Sequence, residues 1–233
     1  MDEGHICDTL GANQFVGLLL ARVLPHGNMH LGITYRHRGE AYLYHQAFHL
    51  HTRHETYGEC VTRLGGLTLV VALEFRRDRQ KAIAGFLDRI AAKDARHPYS
   101  FRYDPKSTID ERLGRLVTRE GIGLNCVTFV LALLNSCQVR LVDIATWPDA
   151  RPEDRQAQQE LADWLEKHPD ATPGHREAVR AEIGCTRVRP EEAAGAGCYT
   201  VFPVKFPDAE QASLVLLQRI AAKMQPPEQQ NQQ

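Results

Sequence analysis

The sequence predicts an α+β fold in which an antiparallel sheet packs against a buried helix, with additional helices toward the C-terminus. Three observations carry this expectation. Arg38-Gly39 separates two strand-like segments, residues 29–36 and 40–51, and Gly65-Gly66 precedes a third at 67–75. The run from Val127 to Leu134 is apolar on nearly every side, as in a helix enclosed by its own core. Residues 153–167 and 208–224 repeat apolar side chains at helical spacing beyond it.

Taken in order, residues 15–23 read as a strand that ends before Pro25 and Gly27. In the strand beginning at Met29, alternation sends Met29, Leu31 and Ile33 to one side and His30, Gly32 and Thr34 to the other. Ile83, Phe86, Leu87 and Ile90 mark a helix with Asp78 as its N-cap. Residues 97–105, bounded by prolines, read as extended, and 107–119 as helical until Gly121 and Gly123 break the pattern. Residues 139–144 are strand-like. The segment 153–167 forms a helix on Ala157, Leu161, Trp164 and Leu165, with acids at its start and Lys167 and His168 at its end. A short helix follows Pro173, residues 189–206 read as irregular, and 208–224 packs through Leu214, Leu216, Leu217 and Ile220. Residues 225–233, QPPEQQNQQ, have the composition of a disordered tail. The 233 residues suit one domain over 1–224, with a core at 29–135 and a helical extension at 150–224.

A formal net charge of -1 supplies no field to gather nucleic acid or an anionic membrane surface. The apolar runs fall short of the roughly 20 residues that cross a bilayer. The polar, acidic opening MDEGHICDTLGANQ lacks the basic start and apolar stretch of a secretory signal, so a cytoplasmic location is expected. The cysteines at 7, 60, 126, 137, 185 and 198 are scattered, without a CxxC pair or zinc-finger spacing. Neither disulfides nor a cofactor or structural metal is expected from them.

One of these cysteines has a distinctive setting. In GIGLNCVTFVLALLN, residues 121–135, Asn125 is a favourable N-cap and Cys126 follows at the first helical position. There the unpaired amides and the positive helix end favour a thiolate and can bind a developing oxyanion. A base is needed beside it. His30 faces the Gly32 side of its strand, and the hairpin brings His45 opposite it or one step off register, as the group that would orient the imidazole. His49 and Asp143 are alternatives for that third position. With His30 alongside, the thiol pKa is expected to fall at least one unit below its free value of about 8.5.

These pieces carry a resemblance. HLGITY (30–35), YLYHQA (42–47) and NCVTFV (125–130) resemble, in that order, the permuted papain-like cysteine hydrolases and acyltransferases, which include NlpC-like and lecithin:retinol acyltransferase-like proteins. The resemblance covers residues 29–135 and implies a permuted papain-like fold with His30 as base, His45 as orienting residue and Cys126 as nucleophile. It implies a cysteine-dependent hydrolase or acyltransferase that acts on an amide, ester or thioester through an acyl-enzyme, with a peptide, lipid or small amide or ester as substrate.

Two other readings stand beside it. His45, His49, His51 and His54 form a histidine-rich stretch that could hold zinc, copper or nickel, although no cysteine or acid nearby completes a tetrahedral set. A catalytically inactive hydrolase-like scaffold could instead hold a protein partner through the helices at 153–167 and 208–224.

Overall fold

The strands expected around the Arg38-Gly39 turn are formed in the computed structural model, which describes residues 5–24, 27–117 and 123–224. β1 (Ile6–Cys7), β2 (Val16–Val23), β3 (Asn28–His37), β4 (Glu40–Phe48), β5 (His51–Thr56) and β6 (Thr68–Ala72) make a six-stranded sheet in the order β1-β6-β2-β3-β4-β5. Every pairing in it is antiparallel. The left-handed Arg38 and Gly39 close the tight β3–β4 turn, which pairs His37 with Glu40.

Side-chain alternation divides the sheet into two faces. Leu18 and Leu20, Leu31 and Ile33, Tyr44, and Leu69 and Val71 face the main core. Leu19, Ala21, Leu43 and Val70 face a smaller cluster covered by Cys60 and Leu64. Cys60 lies on α1 (Tyr57–Arg63), and Leu64 directly follows that helix. The main face is covered by α2 (Arg77–Ala91) and α3 (Cys126–Ser136), together with α6 (Pro190–Ala196) and α7 (Phe206–Ala222). α3 is buried from Cys126 to Leu134, and Phe129 meets Tyr44 edge to face at 4.9 Å. Each such large apolar side chain contributes about 1.5–3 kcal/mol by leaving water, enough to hold a short helix against the sheet.

α4 (Pro152–Lys167) and α5 (Pro173–Ala181) form a separate apolar cluster with Phe101 and Tyr99, through Leu161, Leu165 and Val179. Among the described residues no helix is long and apolar enough to cross a membrane.

Several local expectations are corrected. Residues 107–117 are not helical: β7 (Thr108–Ile109) and β8 (Leu116–Val117) pair as a hairpin. The Asp110 carboxylate accepts from the Leu113 amide, Gly114 takes a positive φ of 67°, and Ser136 Oγ accepts from the Ile109 amide, so turn chemistry outweighs helical spacing. Residues 118–119 of that expected helix, the Gly121-Ile122 pair and the tail 225–233 lie outside the described residues. The strand expected over 40–51 is two, because Leu50 turns at a positive φ of 55° and β5 returns from it.

Arg76, not Asp78, occupies the N-cap of α2, and Asp78 sits in its first turn. The strand-like 139–144 forms only a single bridge, Val142 to Val204, followed by a 3-10 turn at Ile144–Thr146. The stretch read as irregular contains α6, begun by Pro190 at its first turn. On α7 the small residues Ala209 and Ala212 continue the buried face of Leu216 and Ile220, and Leu214 points outward.

Candidate active site

The mouth of α3 is fixed by short-range hydrogen bonds. Asn125 is the N-cap: its Oδ1 accepts from the amides of Val127 at 2.8 Å and Thr128 at 2.9 Å, while its own amide donates to Thr128 Oγ1 at 2.8 Å. Just upstream the chain is clamped to residues 98–100. Leu124 N–H donates to the Pro98 carbonyl at 2.7 Å, and Ser100 Oγ exchanges hydrogen bonds with both backbone groups of Gly123. A Cβ on Gly123 would lie 2.4 Å from the Pro98 carbonyl oxygen, so only glycine permits this approach.

Asn125 therefore occupies two amides that the sequence reading offered to an oxyanion. The Cys126 amide remains, and it faces the Tyr99 hydroxyl. Burial moves the Cys126 thiol above the ordinary thiol range and outweighs the Leu31 amide, the Arg187 charge and the helix amides, which all favour the thiolate. The expected fall in thiol pKa is thus reversed: desolvation inside the apolar core exceeds what a largely capped helix end returns.

A second set of groups comes from the sheet. His30 Nε2 lies 2.7 Å from His45 Nδ1, with the two rings edge to face at 4.7 Å. His45 Nε2 lies 3.1 Å from Glu55 Oε1 on β5, and Arg63 at the end of α1 closes onto the same carboxylate. Burial would raise the Glu55 pKa, but hydrogen bonds from His45 and Arg63 hold it down to about 2, so it is ionised.

An ionised Glu55 fixes both tautomers. The carboxylate oxygen at 3.1 Å outweighs the Arg63 guanidinium at 3.5 Å from the same nitrogen, so His45 is assigned as donating from Nε2; its Nδ1 then accepts from His30 Nε2–H, and the free lone pair of the chain is left on His30 Nδ1. Burial, then the neighbouring His45 and Arg63, push the His30 pKa down to about 3, and burial lowers that of His45 despite Glu55. Both rings are neutral near pH 7.

Gly32 lets these strands meet. A Cβ there would lie 2.7 Å from Leu43 Cδ1 and 3.1 Å from His45 Cβ. Gly32→Ala is expected to destabilise the fold by about 1–3 kcal/mol, read by urea unfolding, and to lengthen the His30–His45 contact.

His30 and Cys126 line one cavity of about 820 Å³. His30 pairs with Ala21 and points to the α1 face, whereas Cys126 packs with Leu31 on the main core face. Among the described residues no hydrogen bond joins Cys126 Sγ to an imidazole. The cavity opens where β3–β4 pairing stops at Ile33 and Tyr44 and β4 bulges between Gln46 and Phe48. Its far wall is α4 and residues 187–191.

The alternatives for the third position lie elsewhere. His49 packs against Trp164, His168 and His175, and its Nδ1 accepts from the Tyr99 amide at 3.2 Å. Asp143 precedes the 3-10 turn and does not line the cavity. The break between β4 and β5 also scatters the histidine-rich stretch: His54 stacks with Tyr42, and His51 contacts Arg53. Among the described residues no group of three His, Cys, Asp or Glu side chains is placed to hold a metal ion.

Glu55, Arg63 and Tyr99 escaped the sequence reading. A signal for the first two was present, since Thr56 and Glu59 form a capping box that starts α1 and so ends β5 at Glu55 and Thr56. No family model matches the chain, and neither a curated protein nor a solved structure matches it.

Proposed function

We propose that the chain is a cysteine-dependent acyl hydrolase or acyltransferase in a permuted papain-like arrangement, with Cys126 as nucleophile, His30 as base and His45 as the orienting group, backed by Glu55. The observation that carries this reading is the Glu55–His45–His30 chain, which leaves one basic nitrogen, Nδ1 of His30, at the end of a buried relay beside the cavity that Cys126 lines.

At rest both partners are neutral. As Sγ attacks the substrate carbonyl carbon, the thiol proton passes to His30 Nδ1, directly or through one water, and the carbonyl π pair moves onto oxygen. Apo geometry of this kind tightens when substrate fills the site. The Cys126 amide and the Tyr99 hydroxyl that it faces would donate to the developing oxyanion. His30 then returns its proton to the leaving nitrogen, oxygen or sulfur, and the acyl group stays on Sγ. Water, or another nucleophile, releases it while His30 takes the incoming proton.

The desolvated thiol, and the absence of a thiol–imidazole hydrogen bond among the described residues, favour a second reading, a hydrolase-like scaffold without activity. Mass spectrometry after acid quench separates the two. With acetyl and hexanoyl thioesters of N-acetylcysteamine, the enzyme reading expects one acyl adduct, on Cys126, that is absent from Cys126→Ser under the same quench. No adduct, or one on Cys60 or Cys137, supports the scaffold reading instead.

A further inference from the structure

The wall of the cavity opposite the sheet carries a charge arrangement that the proposed chemistry does not use. The buried carboxylate of Asp154 receives three guanidiniums: Arg151 at 2.6 Å, Arg189 at 3.0 Å and Arg187 at 3.4 Å. Arg151 also holds Glu192 at 2.5 Å. Asp154 and Glu192 are the only two carboxylates in this set with nearly inaccessible side chains, at 2% and 4%. Glu153 meets Arg189 at 3.4 Å with its side chain 75% exposed, where water screens it.

Three cations therefore face two buried anions, with Glu191 at the cavity lining as a further acid within range of Arg189 and Arg187. Arg187 is the one held most loosely, since its single contact with Asp154 is the longest of the three. Its guanidinium is held in another way, over the Phe101 ring with Cζ 4.8 Å from the centroid, which leaves donors of the fork unused. Arg187 lines the same cavity as Cys126. Its charge also acts on both the Cys126 thiol and the Tyr99 hydroxyl, so it lies within electrostatic range of the reacting sulfur.

We propose that Arg187 is a specificity-determining residue that binds a carboxylate on the substrate, so that the cavity takes acyl compounds bearing a carboxylate close to the scissile carbonyl. The inference rests on the hydrolase or acyltransferase reading for the word substrate. The anion site itself does not, because it follows from the loosely held guanidinium at the cavity wall. A planar fork suits a carboxylate through two parallel N–H donors, and the surrounding burial strengthens that contact relative to water. Glu191 also lines the cavity; burial raises its pKa, while the Arg189 and Arg187 charges act in the other direction.

Two alkylating probes of nearly equal size test the site without requiring turnover. Iodoacetate and iodoacetamide each form an Sγ–C bond to the thiolate as iodide leaves, and only the first carries a carboxylate beside the reacting carbon. The ratio of their rates at Cys126, followed by peptide mass spectrometry on the full chain, cancels the thiolate fraction common to both. The ratio is expected to exceed that of glutathione under the same conditions. It should fall about three- to tenfold in Arg187→Gln and be only partly kept in Arg187→Lys, which retains the charge but not the two parallel donors.

A wild-type ratio at or below that of glutathione overturns the proposal, even if Arg187→Gln fails to fold. So does a ratio that Arg187→Gln leaves unchanged. A raised, Arg187-dependent ratio in a chain that forms no acyl adduct with thioesters would keep the anion site and discard the enzyme reading.

Discussion

His30→Ala is expected to slow acyl transfer to Cys126 by about 10²–10⁴-fold, the usual contribution of a positioned general base, while leaving the alkylation midpoint of the same thiol nearly unmoved. The two outcomes separate a general base from an ion pair. Where an imidazolium stabilises a thiolate, removing it raises the pH at which iodoacetamide reacts. Here His30 is held down to about 3 and carries no charge near pH 7, so its loss removes no Coulomb attraction from Cys126. The midpoint should instead lie above that of an ordinary thiol in both chains, because burial raises the Cys126 pKa.

His45→Ala should slow acylation less than His30→Ala, since His45 acts by fixing the His30 tautomer. Glu55→Gln removes the charge that sets the tautomers of both rings and should do the same. The measurements are single-turnover acylation by a thioester and the pH profile of alkylation at Cys126. A midpoint that rises on His30→Ala would restore the ion pair, and an acylation rate indifferent to His30 would remove the base from the mechanism.

Much of this arrangement was legible wherever local chemistry decides structure. Asn125 before an apolar run gave the cap and hence the position of Cys126, and Arg38-Gly39 gave the hairpin that brings His45 to His30. Legibility ended where long-range packing or turn chemistry overrides spacing. The 107–117 hairpin depends on Ser136, more than twenty residues away, to accept the Ile109 amide, so no local window contains its cause. β5 is short and mixed in polarity, His51 to Thr56, which hid it and with it the carboxylate that completes the histidine chain.

The thiol pKa was misread for a related reason. Sequence places Cys126 at a helix end, but the balance between amides and desolvation depends on how many amides Asn125 has taken and on what encloses the sulfur. Alternation along β3 did assign His30 and Leu31 to opposite faces. Only the packing of α3 shows that Cys126 lies on the Leu31 side, with the cavity at the strand ends as the shared ground.

The other large expected effect is on stability in mild acid. Burial lowers the pKa of His30 to about 3 and those of His49 and His97 to about 4, with neighbouring histidines adding to the first two and Arg115 to the third. His97 is 1% exposed and its Nε2 has no protein partner, so nothing compensates a charge placed there. In the unfolded chain these rings titrate near 6.5. Between that value and about 4 the unfolded state binds protons that the folded state does not, and stability therefore rises with pH across this window and falls on acidification.

Each fully discriminated histidine gives a slope of about 1.4 kcal/mol per pH unit, and the three act together. Glu55, held at about 2, adds loss in the same direction below its ordinary range. Glu182 and Glu191, whose pKa values burial raises, work the other way and offset part of the slope near the upper carboxylate range. The net expectation is a steep loss of folding free energy between pH 6.5 and 4.5, measured by urea unfolding at several pH values. His97→Gln should make that dependence shallower by about one histidine's slope of 1.4 kcal/mol per pH unit, whatever it does to stability at pH 7. A stability profile that is flat across this range would mean that these rings are protonated in the folded chain, and the neutral His30 on which the general-base mechanism depends would go with it.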